Sequence, residues 1–161
     1  MIQFRDLKRQ YSKLKKAINT SILKVNKKTN FISGEEVEIL ETKLSQYVGV
    51  KHCITCANGT DALTLVLKAW NIKEGDYVFV PNFTFFATAE VVSNLGATPV
   101  FVDVDDKTFN IDPNKLENKI KSFLNEDQKK LKAIITVDLF GLPSNYNKIE
   151  IIANKYDLLL L

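Results

Sequence analysis

The sequence predicts an α/β fold with a mainly parallel sheet that is flanked by helices and preceded by two N-terminal helices. Two amphipathic segments come first, and from residue 53 onward short apolar runs alternate with further amphipathic segments. Such alternation indicates crossover connections, which join parallel strands. The length of 161 residues and the hydrophobic content of 45% are typical of one domain with a hydrophobic core.

Two helices are predicted before the sheet. Between Leu7 and Val25, apolar residues recur at steps of three and four, which places them on one stripe of a surface helix. The second helix begins with an acidic first turn at Glu35 and Glu36. It ends at Gly49, because glycine suits the left-handed end of a helix.

One domain is predicted. Its N-terminal helices lie in residues 1–50, and strand–helix repeats follow in residues 51–161. The predicted strands are residues 53–57, 77–81, 99–104, 133–139 and 157–161. The predicted helices are residues 61–70, 84–95, 113–124 and 145–155. Proline at position 113 suits a first helical turn, and the lysine-rich residues 125–132 are predicted to form an exposed loop.

Composition argues against two classes of partner. The net charge is +3 and the arginines are Arg5 and Arg9, so side chains that read phosphates or base edges are scarce and nucleic acid is not expected. No apolar run reaches the length of a membrane span, and residues 1–10 lack the apolar core of a signal peptide. A cytoplasmic protein is therefore expected.

The turn after the first predicted strand suits an anion. Asn58, Gly59, Thr60 and Asp61 open a helix, where backbone N–H groups lack partners and point outward. Gly59 permits close approach to the main chain and Thr60 adds a hydroxyl donor, which together favour a phosphate monoester. The alternative is that Asn58 or Thr60 only caps the helix. There is neither a Walker lysine nor a G-x-G-x-x-G motif, which argues against nucleoside triphosphates and dinucleotides.

Cys53 and Cys56 have the C-x-x-C spacing of metal and redox sites. On the predicted strand, positions three apart point to opposite faces, so the two thiols cannot bind one ion. We interpret them as buried strand cysteines. His52, the only histidine, has no second ligand at a recognisable spacing and is interpreted as a residue at the strand start.

Asp103, Asp105 and Asp106 follow a predicted strand, and carboxylates in this order can bind a hard cation. The glycine and glutamate that complete a calcium loop do not follow them. We therefore interpret these residues as acidic turn residues at the end of the strand.

Five segments occur along the chain in a fixed order: NFISGEEV at residues 30–37, ANGTDAL at 57–63, PNFTFFATAE at 81–90, NIDP at 110–113 and VDLFG at 137–141. Together they resemble the N-terminal part of the DegT/DnrJ/StrS aminotransferases. These are pyridoxal-phosphate enzymes of fold type I that aminate keto sugars carried on nucleotides. The resemblance covers essentially the whole chain and implies an incomplete large cofactor-binding domain.

The resemblance also implies roles for three residues. Gly59 and Thr60 would hold the phosphate of pyridoxal 5'-phosphate, and Phe85 would stack on its pyridine ring. A flat aromatic side chain beyond the end of a strand suits that role. The alternative is that Phe85 or Phe86 forms part of the apolar face of a helix. Where this chain has Asp138, family members commonly have histidine or another small polar residue.

The remaining catalytic groups are expected beyond residue 161. The family places an acidic residue that pairs with the pyridine nitrogen just after the last predicted strand, and further on the lysine that forms the Schiff base. Without them, a pyridoxal enzyme lacks its covalent anchor and the tuning of its electron sink. No catalytic residue is therefore assigned within residues 1–161, and Lys132 and Lys155 are not candidates.

Three functions are weighed. The first is the N-terminal portion of an aminotransferase that moves an amino group, from glutamate, to a nucleotide-linked keto sugar in amino-sugar or cell-surface polysaccharide biosynthesis, as a homodimer when complete. The second is a truncated, non-catalytic remnant or phosphate-binding module. The third, a flavodoxin-like binding domain, fits the alternation of elements but not the order of motifs. Residues 1–161 alone are expected to aggregate, because the sheet would keep an unpaired edge.

Overall fold

The computed structural model describes residues 4–124 and 130–161, and the chain divides into two units, Met1–Thr55 and Cys56–Leu161. The first unit contains helices α1 (Leu7–Lys28) and α2 (Glu35–Val48). Both N-terminal helices are confirmed, and α1 continues almost one turn beyond its predicted end. Helix α2 ends at Gly49 with φ of +76°, as its sequence indicates.

The second unit is built around a parallel sheet. Its helices are α3 (Gly59–Ala69), α4 (Ala87–Asn94), α5 (Pro113–Phe123) and α6 (Tyr146–Tyr156). Its strands are β1 (Tyr77–Pro81), β2 (Thr98–Val102), β3 (Leu131–Ile134) and β4 (Leu159–Leu160). The described strands form one sheet in the order β2-β1-β3-β4, with all three pairings parallel. The predicted α/β class with a parallel sheet is confirmed.

Helices cover both faces of this sheet. Phe79 of β1 and Ile134 of β3 pack with Leu116 and Ile120 of α5 and with Ile149 of α6. Neighbouring strand residues point the other way, because side chains alternate along a strand. That opposite face packs against α3 and α4 through Val78, Val80, Ala133, Leu67, Val91 and Val92. The strand ends are therefore held rigidly between two apolar layers.

The first predicted strand, residues 53–57, is wrong. These residues have no strand partner in the described part of the chain, and Ile54 is 83% exposed. The backbone N–H and the hydroxyl of Thr55 both donate to Glu41 Oε1, each at 2.8 Å, which lowers the pKa of that carboxyl. The Glu41 side chain thus accepts the backbone hydrogen bond that a neighbouring strand would otherwise accept. The prediction failed because β-structure depends on a neighbouring strand more than on local composition.

The assignments that depended on this strand change with it. Cys53 is half-buried and Cys56 is exposed, so the interpretation as two buried strand cysteines is wrong. His52 is exposed and lies outside any strand. The described ranges contain no group of three or more His, Cys, Asp or Glu side chains placed to hold an ion.

Several boundaries also differ from prediction. Helix α3 begins at Gly59 instead of residue 61, and α4 begins at Ala87 instead of residue 84. Strand β3 covers Leu131–Ile134 rather than 133–139, because its register is set by pairing with β1, where Val78 faces Ala133. Of the predicted loop 125–132, residues 125–129 lie outside the described residues, while residues 131 and 132 belong to β3.

No helix within residues 4–124 or 130–161 combines the length and the apolar character needed to cross a membrane.

Candidate functional site

A cavity of about 530 Å³ opens at the carboxyl ends of β1 and β3, beside the start of α3. Its volume lies within the range of small-molecule sites, about 300–1,000 Å³. All three residues assigned from the sequence line it: Gly59, Thr60 and Phe85. The cavity wall is completed by Leu63, Thr84, Ala87, Thr88, Ile135, Thr136, Val137 and Asp138.

The start of α3 is capped and yet open to an anion. The Asn58 side chain accepts from the backbone N–H of Asp61 at 2.9 Å, so the capping role of Asn58 is confirmed. The Asn58 Nδ2 donates to Asp61 Oδ2 at 3.1 Å, which holds this carboxylate at the cap. In the described part of the chain, the backbone N–H groups of Gly59 and Thr60 have no acceptor. They are the donors that a phosphate requires at a helix start.

Gly59 faces open space. A Cβ atom built at this position meets no heavy atom within 4 Å, and its φ lies outside the left-handed region that favours glycine. Neither the packing of this unit nor the backbone geometry therefore requires glycine here. The open space in front of Gly59 would let a ligand approach the main chain closely.

Phe85 lies before α4, in the segment between β1 and that helix. Its side chain is 77% exposed, and that of Phe86 is 73% exposed. Neither ring is buried against the core of this unit. The segment is held by Thr84 and Thr88, whose Oγ1 atoms lie 3.0 Å apart, and Thr88 is buried.

The wall after β3 is polar and internally bonded. Asp138 Oδ1 accepts from the Tyr146 hydroxyl at 2.9 Å and from the Ser144 backbone N–H at 2.9 Å. The Thr136 hydroxyl lies 3.4 Å from the Tyr146 oxygen. Burial raises the pKa of Tyr146, and the adjacent Asp138 carboxylate raises it further, so the phenol keeps its proton.

Sequence reasoning did not select Thr136 or Tyr146. A signal for Thr136 existed, because it is the first polar residue after an apolar run that ends a parallel strand. Tyr146 carried no such signal, since it lies at the start of α6 and reaches Asp138 only through the fold.

Asp103 and Asp105, which follow β2, accept hydrogen bonds from loop residues of this unit. Asp105 Oδ1 accepts from the backbone N–H groups of Thr108 at 2.9 Å and Lys107 at 3.1 Å, and these bonds lower the pKa of the Asp105 carboxyl. Asp103 Oδ1 accepts from Asn82 Nδ2. Their interpretation as acidic turn residues is confirmed.

The sequence profile of the DegT/DnrJ/EryC1/StrS aminotransferase family matches residues 12–161. The chain belongs to this family.

Among curated proteins, the chain is 46% identical over 156 residues to UDP-2-acetamido-2-deoxy-3-oxo-D-glucuronate aminotransferase of Pseudomonas aeruginosa, covering 97% of this chain and 42% of that protein. Among solved structures, a DegT DnrJ EryC1 StrS aminotransferase from Brucella abortus has a TM-score of 0.96 at 47% identity over 99% of this chain and 43% of its own. NtdA from Bacillus subtilis, solved with bound cofactor PMP, has a TM-score of 0.81 at 34% identity over 89% of this chain and 31% of its own. The chain thus spans less than half the length of each.

Proposed function

We propose that residues 1–161 form the N-terminal portion of a pyridoxal-phosphate aminotransferase. In its complete form, the protein would transfer an amino group from glutamate to a nucleotide-linked keto sugar, as a cytoplasmic homodimer that supplies amino-sugar or polysaccharide biosynthesis. The P. aeruginosa relative is named for a UDP-linked oxo sugar acid, which supports this substrate class. The proposal places both units in one incomplete cofactor-binding domain.

One observation carries the proposal: Gly59, Thr60 and Phe85 line a single cavity at the carboxyl edge of a parallel sheet. The cavity offers the two features that pyridoxal phosphate needs. Free N–H groups and a hydroxyl at the start of α3 suit the phosphate, and an exposed aromatic ring suits the pyridine. The open space in front of Gly59 allows the phosphate to approach the backbone.

When bound, pyridoxal phosphate supplies the electron sink that makes amino transfer possible. Residues of this chain bind and orient it. The N–H groups of Gly59 and Thr60 and the Thr60 hydroxyl would hold its phosphate, and Phe85 would stack on its ring and orient it. Across the cavity, Tyr146 holds its proton toward Asp138 Oδ1 and so fixes that carboxylate in the wall.

The groups that perform proton transfer are assigned outside residues 1–161. No lysine of the described chain lines the cavity, and Asp138 is its one acidic residue there. Lys155 pairs instead with Glu117 Oε1 at 2.6 Å on the outer surface of α5 and α6. We therefore place the covalent lysine and the acidic partner of the pyridine nitrogen in the remainder of the complete protein.

Substitution of Thr60 tests this assignment. Thr60→Val keeps the shape of the side chain and removes the hydroxyl, so we expect the Kd for pyridoxal 5'-phosphate to rise about tenfold, as for loss of one hydrogen bond to a charged group. Thr64→Val is the matched control, because the Thr64 hydroxyl donates to the Thr60 carbonyl oxygen at 3.0 Å and does not line the cavity. Isothermal titration of the complete protein measures both. Equal affinities for Thr60→Val and wild type would contradict the assignment.

The full activity is tested with ¹⁵N-glutamate and UDP-linked 3-oxo sugar as substrates. Mass spectrometry of the sugar product is expected to show incorporated ¹⁵N with the complete protein from its native cell. If that protein has a mass no greater than 161 residues and transfers no nitrogen, it is the non-catalytic remnant instead.

A further inference from the structure

A buried carboxamide joins two loops beside the cavity. Asn110 lies in the turn after β2 and is 4% exposed. Its Nδ2 donates to the Leu142 carbonyl oxygen at 2.8 Å, and its Oδ1 accepts from the Leu139 backbone N–H at 3.1 Å. A buried carboxamide needs one partner that accepts from its NH₂ group and another that donates to its oxygen. Here one loop after β3 provides both.

That loop has an unfavourable backbone conformation. Phe140 has a φ of +56°, a left-handed value that is disfavoured for a bulky side chain, and Gly141 follows with a φ of +84°. The Leu142 backbone N–H donates to the Leu139 carbonyl oxygen at 3.1 Å and closes this turn. Asn110 contacts the same two residues from outside the turn, so it holds the strained conformation in place.

The loop begins on the cavity wall. Asp138, which lines the cavity, directly precedes Leu139, and its Oδ1 is held from the other side by Tyr146 and Ser144. We infer that Asn110 is a positioning residue that fixes the backbone of Asp138 and thereby shapes the ligand-facing wall. This inference rests on the proposed function, because the wall faces the space assigned to pyridoxal phosphate.

The first test measures the loop itself in the complete, cofactor-free protein. Asn110→Asp keeps the size and the acceptor but removes the donor to Leu142. We expect hydrogen exchange of the backbone amides in residues 138–144 to become about tenfold faster, since local opening loses one hydrogen bond. Asn118→Asp makes the same chemical change at an exposed position of α5 and should leave this exchange unaltered. Unchanged exchange in Asn110→Asp would overturn the inference.

The second test asks whether Asn110 acts through Asp138. The Kd for pyridoxal 5'-phosphate is measured for Asn110→Ala, Asp138→Ala and the double variant. We expect each single change to alter the Kd by about threefold or more, and the double variant to match Asp138→Ala, because coupled residues are not additive. Multiplying effects would overturn the inference, since they would mean that Asn110 affects binding independently of Asp138.

The two tests separate the inference from the function on which it rests. If the wild-type protein binds no pyridoxal phosphate, the proposed function fails, while hydrogen exchange of residues 138–144 still decides whether Asn110 positions the loop. If Asn110→Ala does not fold, Asn110→Asp replaces it in the titration.

Discussion

At the scale of single residues, the geometry at the start of α3 is compatible with both roles that the sequence presented as alternatives. Asn58 caps the helix by accepting from the Asp61 N–H, which leaves the N–H groups of Gly59 and Thr60 directed outward. The Asp61 carboxylate is held back at the cap by Asn58 Nδ2. A negative charge near the first turn is therefore compatible with an anion site beside it.

Substitution of Gly59 by alanine is predicted to weaken ligand binding with little effect on the stability of the fold. Because the added Cβ of Gly59→Ala meets no heavy atom within 4 Å, we expect the free energy of unfolding to change by less than about 1 kcal/mol. The same Cβ would occupy the space assigned to the phosphate, so the Kd for pyridoxal phosphate is expected to rise at least about tenfold. Urea unfolding and isothermal titration of the complete protein provide the two measurements.

The result that would contradict this prediction is wild-type affinity in Gly59→Ala. It would mean that the phosphate does not occupy the space in front of Gly59.

At the scale of elements, the cap of α5 shows how a local sequence signal fixes a boundary. Pro113 occupies the first turn, and the Asp112 side chain accepts from the backbone N–H groups of Asn114 at 2.7 Å and Lys115 at 3.3 Å. Helix α5 therefore begins where the sequence predicted, since its start depends on neighbours in the chain.

Removal of this cap should cost stability. We expect Asp112→Ala to lower the free energy of unfolding by about 1 kcal/mol, the usual loss when a capping oxygen is removed. Asp106→Ala, at an exposed position before the same helix, is the control and should have little effect. Chemical denaturation compares the two variants, and equal stabilities would show that the cap is energetically unimportant.

Helices α5 and α6 are joined by an ion-pair cluster at Glu117. Its Oε1 accepts from Lys155 Nζ at 2.6 Å and from the Tyr156 hydroxyl at 3.1 Å, and Lys121 Nζ lies 3.4 Å from Oε2. These contacts, led by the bond from Lys155, lower the pKa of Glu117 to about 2. The folded state thus holds the charged form more strongly than the unfolded chain does.

The lowered pKa of Glu117 makes the stability of the fold depend on pH. A lowered carboxyl pKa stabilises the fold fully above the unfolded value of about 4.3, and this contribution is lost as the pH falls toward about 2. Glu117→Gln should therefore be less stable than wild type at neutral pH, with the difference vanishing in acid. Denaturation series at several pH values measure it, with Glu150→Gln at an exposed position of α6 as control. A difference that grows in acid would refute this assignment.

At the scale of the whole molecule, the two units differ in how they bury apolar residues. Helices α1 and α2, both fully described, contain no buried side chain. The second unit has a continuous apolar layer on each face of its sheet. An exposed apolar stripe on one unit and edge strands without a partner among the described residues on the other favour association.

Residues 1–161 expressed alone are therefore predicted to associate. The exposed stripe of α1 includes Tyr11, Leu14, Ile18 and Ile22. Size-exclusion chromatography with light scattering is expected to give species larger than 18.3 kDa, the mass of these residues. A single monomeric peak would contradict the prediction.

The sequence by itself determined the features that depend on nearby residues. Amphipathic periodicity fixed α1, α2, α5 and α6 within about one turn. Motif order identified the family, and with it Gly59, Thr60 and Phe85, which the fold brings to one cavity. Each of these signals is contained in a few consecutive residues.

Only the tertiary structure decided the features that depend on distant residues. Residues 53–57 form no strand, because no neighbouring strand is present among the described residues to pair with them. The bounds of β3 follow from its register with β1, and the wall built by Asp138, Tyr146 and Asn110 follows from contacts between separate loops. Strand pairing and buried hydrogen bonds require groups far apart in the chain to meet, which local composition does not specify.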